Sequence, residues 1–177
     1  MMTNKYCGDG SGVLPGIISE DFSSITASSP IAISGWTNVA VIGNKQWLGK
    51  SFSTEKYAEV TAYQSSLANM ESWLVTPGFN ITAGDTLSFK SELSYFKHNG
   101  LTIWVSNNYT GNPATATWQQ LTCSLPGSST GNYIWVDSGD ISLNGLGLTG
   151  TLNVGFKYVG DGTTNTTTFR VDNVRVR

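Results

Sequence analysis

With 177 residues, 12% of them charged, and a formal net charge of −2, the chain is long enough for one domain with a sizeable core. Ten scattered Lys and Arg residues do not make a duplex-binding surface or a polybasic membrane contact, which excludes nucleic acid as a partner. Ser, Thr, Asn and 20 glycines replace charge beside 11% aromatics, a mixture suited to pleated strands and tight turns.

The first 16 residues, MMTNKYCGDGSGVLPG, hold four glycines and a proline without periodicity, and read as a flexible leader or interdomain linker. They lack the apolar region of a secretory signal, and no run of about 18 apolar residues follows that would insert in a membrane. Over residues 17 to 177 the pattern changes. GIISEDFSSI (16–25), YAEVTAY (57–63), ESWLVTP (71–77), LSFKSEL (87–93) and LTIWVSN (101–107) alternate apolar and polar positions. TWQQLTC (117–123), YIWVDSG (133–139), LNVGFKYVG (152–160) and FRVDNVRV (169–176) do the same. Between them lie loops rich in Gly, Pro and Asn, such as TPGFNITAGD and LPGSSTGN. No amphipathic helix of ten residues and no internal repeat is visible. About nine short strands separated by turns predict an all-β domain, an antiparallel β-sandwich of jelly-roll type spanning 17–177. Cys7 falls in the leader and Cys123 in a strand-like run, which leaves one bridge and two free thiols both open.

The two terminal runs carry acids that need an explanation. Read as one unbroken strand, FRVDNVRV places Asp172 on the face of Val174 and Val176, so a carboxylate points inward. In IISEDFSS, Phe22 marks the core side and Glu20 shares it, while Asp21 points the other way. If the terminal strands are neighbours, Glu20 and Asp172 come together, and a hard cation such as calcium resolves their repulsion. The alternative is a capped Asp172 and a solvated Glu20 at a sheet rim.

Catalytic signals are weak. The single histidine, His98, sits in the turn FKHNG and reads as a solvated side chain. No GxSxG, HExxH or CxxC occurs. Glu59, Glu71 and Glu92 are the acids from which a glycoside hydrolase would draw its pair, but their spacing selects none of them and a solvated rim is expected for each. A non-catalytic protein is the expectation.

The tryptophans suggest binding instead. In LTIWVSN the core residues leave Trp104 on the opposite face, and in YIWVDSG they leave Trp135 beside Tyr133. If those strands are neighbours, Trp104, Trp135 and Tyr133 form an outer surface for a sugar ring or a protein partner. The alternative is second-layer packing under a loop or a neighbouring domain. Trp73 and Trp118 are expected to be structural.

SEDFSS (19–24), GW (35–36), Trp47, YAEVTAY, ESWLVTPGFNIT (71–82), LTIWVSNNYTGNPATATWQQL (101–121) and FRVDNVRV occur in the order of the choice-of-anchor J domain, which the chain resembles over residues 17 to 176. That family is similar to the cleaved adhesin domains of secreted bacterial proteases and, more distantly, to MAM domains. The resemblance implies a jelly roll on an exported or surface-attached bacterial protein, one piece of a longer chain, used for adhesion, for glycan or protein binding, or for supporting neighbouring domains. It also implies a structural calcium ion tying the first strand to the last, with Glu20, Asp21 and Asp172 at the matching positions. No anchoring signal of the defining kind is present in these 177 residues.

Overall fold

Two antiparallel sheets, described by a computed structural model over residues 17–177, carry nearly all the regular structure. The 1–16 leader and Cys7 lie outside the described residues. In chain order the strands are β1 (Ile18–Glu20), β2 (Thr37–Ile42), β3 (Leu48–Phe52), β4 (Glu55–Val60), β5 (Met70–Val75) and β6 (Phe79–Asn80). They continue with β7 (Thr86–Ser94), β8 (Leu101–Ser106), β9 (Gln119–Leu121), β10 (Val136–Asp137), β11 (Ile141–Ser142), β12 (Thr151–Gly160) and β13 (Thr168–Val176).

The first sheet runs β10-β7-β13-β4-β3, with β1 on β13 and β11 on β7. The second runs β2-β5-β12-β8-β9, with β6 on β12. The expected antiparallel β-sandwich is therefore present. Its core lies between the sheets, where Leu87, Leu93, Phe169, Val171, Val174 and Val176 of the first face Leu74, Ile103, Val105, Val154, Phe156 and Tyr158 of the second. Phe22 and Trp47 fill it from the loops and are fully buried. Along β12, Leu152, Val154, Phe156 and Tyr158 point inward, while Asn153, Gly155 and Lys157 point out, as a period of two requires.

The last strand departs from simple alternation, and this corrects the inward placement of Asp172. Phe169 and Val171 enter the core, and so do Val174 and Val176, which have opposite parity. A bulge reconciles them: the register against β7 shifts between Asp172 and Arg175, and Asn173 takes a φ of 51°. Asp172 consequently lies on the outer face with Arg170 and Arg175. An asparagine suits this place because its short polar side chain tolerates the left-handed region. A β-branched residue does not, so Asn173→Val should cost about 2–3 kcal/mol, whereas Asn173→Gly should stay within about 1 kcal/mol. Urea denaturation of the two variants checks the contrast, and equal losses would show that the bulge does not depend on this φ.

Candidate functional site

The outer face of the first sheet is organised around Arg170. Because β13 lies between β4 and β7, Arg170 stands directly across from Glu59 on one side and Glu92 on the other. Its Nε donates to Glu59 Oε2 at 2.7 Å and its Nη1 to Glu92 Oε1 at 2.5 Å. The guanidinium also lies 5.1 Å from the ring centres of both Tyr57 and Tyr133. A planar cation held by two carboxylates and two aromatic faces is a rigid floor.

Aromatic side chains stand on that floor. The segment before β10 crosses the sheet, fixed where Tyr133 N–H donates to Leu93 O and Asn132 Oδ1 accepts from Tyr95 N–H. Tyr133 is 51% exposed, Tyr95 64% and Trp135 36%. The hydroxyls of Tyr133 and Tyr95 are 3.0 Å apart, and Trp135 packs edge-on against buried Tyr57. Both tyrosines have positive φ, 62° at Tyr133 and 55° at Tyr95. For bulky residues that conformation is strained, and the bonds to Leu93 and Asn132 hold it.

Trp104 is not part of this platform. It belongs to β8 in the second sheet, whereas Trp135 borders β10 in the first, so the shared surface expected from the sequence does not form. Trp104 sits instead with Trp73, 6.5 Å between ring centres, and Trp73 stacks at 4.7 Å on Trp118. Lys157 Nζ lies over Trp73 and Trp104, and Glu71 binds both Lys157 and the Trp73 indole N–H. Gly155 makes room, since a Cβ there would meet the Trp73 ring at 2.7 Å. Trp73 is buried and Trp104 and Trp118 half-buried, and their indole N–H groups donate to Glu71, Thr102 and Pro113 respectively.

Neither a solvated rim nor a hydrolytic pair describes the three glutamates. Glu59 and Glu92 clamp Arg170, and Glu71 is committed to Lys157 on the other sheet. His98 is also not a free turn residue: its Nε2 lies 2.7 Å from Val159 O and its Nδ1 3.1 Å from Thr167 Oγ1, which ties the turn to β12 and to the start of β13.

The terminal strands are neighbours, with Glu20 across from Val174. Glu20 is half-buried and Asp21 exposed. With the bulge turning it outward, Asp172 stands across from Lys90 on β7, and the charges that act on it are those of Glu55 and Asp21, which oppose its ionisation, and of Lys90, which favours it. Each acid is anchored locally: Glu20 Oε1 accepts from Phe22 N–H, Asp21 Oδ1 from Ser23 N–H, and the two Asp172 oxygens from the backbone and side-chain nitrogens of Asn173. Burial raises the Glu20 and Asp172 carboxyls, the latter to about 6, while the bonds from Ser23 hold Asp21 low. Asp172 is 7% exposed and makes no ion pair among the described residues. The donor set fits a hard cation in chemistry, but among the described residues no three His, Cys, Asp or Glu side chains converge into a finished metal site.

No protein-family model and no curated protein matches the sequence. Among solved structures, the K1 cleaved adhesin domain of Lys-gingipain from Porphyromonas gingivalis W83 superposes with a TM-score of 0.62 at 14% identity, covering 90% of this chain and 96% of that one. The K3 cleaved adhesin domain of the same protein gives 0.59 at 19% identity, covering 92% and 98%. The CBM22-2 xylan-binding domain of Paenibacillus barcinonensis Xyn10C gives 0.52 at 11% identity, covering 90% and 98%. The adhesin side of the sequence resemblance thus has a structural counterpart, while its choice-of-anchor J side has none among these matches. At these identities the chain shares the fold of cleaved adhesin domains and of a carbohydrate-binding module.

Proposed function

We propose that the chain is a non-catalytic binding module of an exported bacterial protein, of choice-of-anchor J kind, that takes up a glycan on Tyr95, Tyr133 and Trp135. The observation that carries this reading is the pair of exposed tyrosines held at positive φ over a clamped arginine. Strain of this kind persists where the surrounding structure over-determines it, and it clusters at ligand sites. Flat, amphipathic rings with hydroxyls at their edge suit the apolar face and hydroxyl rim of a sugar. The likeness to domains named for adhesion and for xylan binding supports the reading at the level of fold.

Recognition on such a surface is passive. The Arg170 clamp orients Tyr57 and Tyr133, the Asn132 and Leu93 bonds fix the backbone, and little is left to order when a ligand arrives. Against immobilised polysaccharides, xylan among them, wild type should bind and Tyr133→Ala should bind at least about tenfold more weakly, the loss of one central aromatic contact. Circular dichroism of the variant should be unchanged. If wild type binds no glycan, the reading fails and the same face becomes a docking surface for a neighbouring domain.

The second part of the proposal is a structural calcium ion held by Asp172 with Asp21, its remaining ligands being backbone oxygens and water. The supporting observation is the buried Asp172, which makes no ion pair among the described residues although Lys90 stands across from it on β7, and whose charge Glu55 and Asp21 oppose. When bound, the ion would neutralise these charges and pin β1 to β13. Millimolar calcium should raise the melting temperature, and EDTA should reverse the rise.

A further inference from the structure

Beyond Trp135 the outer face of the first sheet opens into a cleft of about 500 Å³. β10 makes the connection, since Trp135 precedes it and Asp137 and Ser138 line the cleft. Ser88, Phe89 and Lys90 of β7 contribute a second side, and Asn173, Arg175 and Arg177 a third. The β13 bulge creates that third side. In an unbroken strand Arg175 would share the parity of Phe169 and Val171 and point into the core; the extra residue turns it outward.

The cleft has three cations, Lys90, Arg175 and Arg177, against two acids, Asp137 and Asp140. Arg177 is held by Asp140 at 3.1 Å, and its backbone N–H and C=O both bond to Thr86. Lys90 lies 4.0 Å from Asp137. Arg175 is exposed and makes no ion pair among the described residues. Asp21 is the acid that senses it, and Asp21 Oδ1 is already bonded to Ser23 N–H. An unpaired guanidinium at the end of an aromatic platform presents a planar fork of donors that matches a carboxylate two to two.

The geometry points to an acidic glycan as the ligand, a chain containing uronic acid, stacked on Tyr133 and Trp135 with a carboxylate docked on Arg175. This rests on the platform reading above and adds the ligand's charge and the residue that reads it. The test uses three polyuronates (oligogalacturonate, oligomannuronate and hyaluronan), each with its methyl ester, titrated by calorimetry at low salt. At least one acid form should bind tenfold or more tightly than its ester. Arg175→Gln should remove that difference, leaving the ester's affinity unchanged, and Tyr133→Ala should weaken both forms. Equal binding of acid and ester by wild type overturns the carboxylate subsite and leaves the stacking platform standing. Acid binding that survives Arg175→Gln overturns it as well. So does failure of every polyuronate when a neutral or sulfated glycan binds in a Tyr133-dependent way.

Discussion

Replacing Arg170 with methionine should lower the free energy of unfolding by about 3–5 kcal/mol, because it leaves buried carboxylates without their counter-charge. Glu92 is 4% exposed and stands on a central strand, so water cannot reach it to replace the guanidinium. Glu59 is less isolated, with Lys50 Nζ at 4.0 Å. The two acids therefore respond unequally. Adding Glu92→Gln to Arg170→Met should recover part of the loss by removing the buried charge, while adding Glu59→Gln should recover less. Replacing the whole triad with apolar residues of similar volume should come close to wild-type stability, since a buried ion network is costly to break and much less costly to replace. Urea denaturation of this series checks the ordering. A loss below about 1 kcal/mol for Arg170→Met would mean that the clamp behaves as a surface pair. The same variant removes the cation between Tyr57 and Tyr133, so glycan binding should fall even at temperatures where the variant is fully folded.

How far the sequence discloses this arrangement depends on whether the information is local. The period-two runs mark the long strands β5, β7, β8, β12 and β13 because each buries one face against the opposite sheet. β2 escapes notice because it is an edge strand with mostly half-buried residues, so TNVAVI lacks the contrast that alternation needs. The bulge in β13 does have a local signature. Phe169 and Val171 favour one parity, Val174 and Val176 the other, and the slip falls at Asn173, a residue suited to positive φ. Two apolar pairs out of phase by one mean an inserted residue, and reading the strand as unbroken is what placed Asp172 in the core. Strand order is a different kind of information. Nothing near Trp104 or Trp135 states that their strands end in different sheets, and nothing near Arg170 states that Glu59 and Glu92 flank it, because these adjacencies arise from contacts 78 and 111 residues away in the chain. Tyr95 escaped for a related reason: its role comes from Tyr133 and Asn132, which reach it from a distant loop.

Asp172→Asn should change the sign of its effect with calcium. Burial, with Glu55 and Asp21 adding to it, pushes the Asp172 carboxyl from 3.8 up to about 6. A raised carboxyl pKa means that the folded state holds this proton more tightly than the unfolded one. Its contribution to stability is therefore full at low pH, falls as the pH rises from about 4 to about 6, and is flat above. The bound is about 3 kcal/mol at neutral pH, from roughly two pH units at 1.36 kcal/mol each. With calcium removed, asparagine carries no charge to desolvate, so Asp172→Asn should be as stable as wild type or more stable at pH 7, and its stability should lose the slope between pH 4 and 6. With calcium at a hundredfold its dissociation constant, wild type should gain about 2.7 kcal/mol that the variant does not, and the order should reverse. Melting both proteins in EDTA and in calcium, at pH 5 and pH 7, reads all four corners. If calcium stabilises the two equally, the ion is not held by Asp172. If calcium stabilises neither and the asparagine variant is the weaker at pH 7, the bonds from Asn173 outweigh the cost of burying the charge, and Asp172 serves to hold the bulge. Only the reversal makes it the place where a cation joins the first strand to the last.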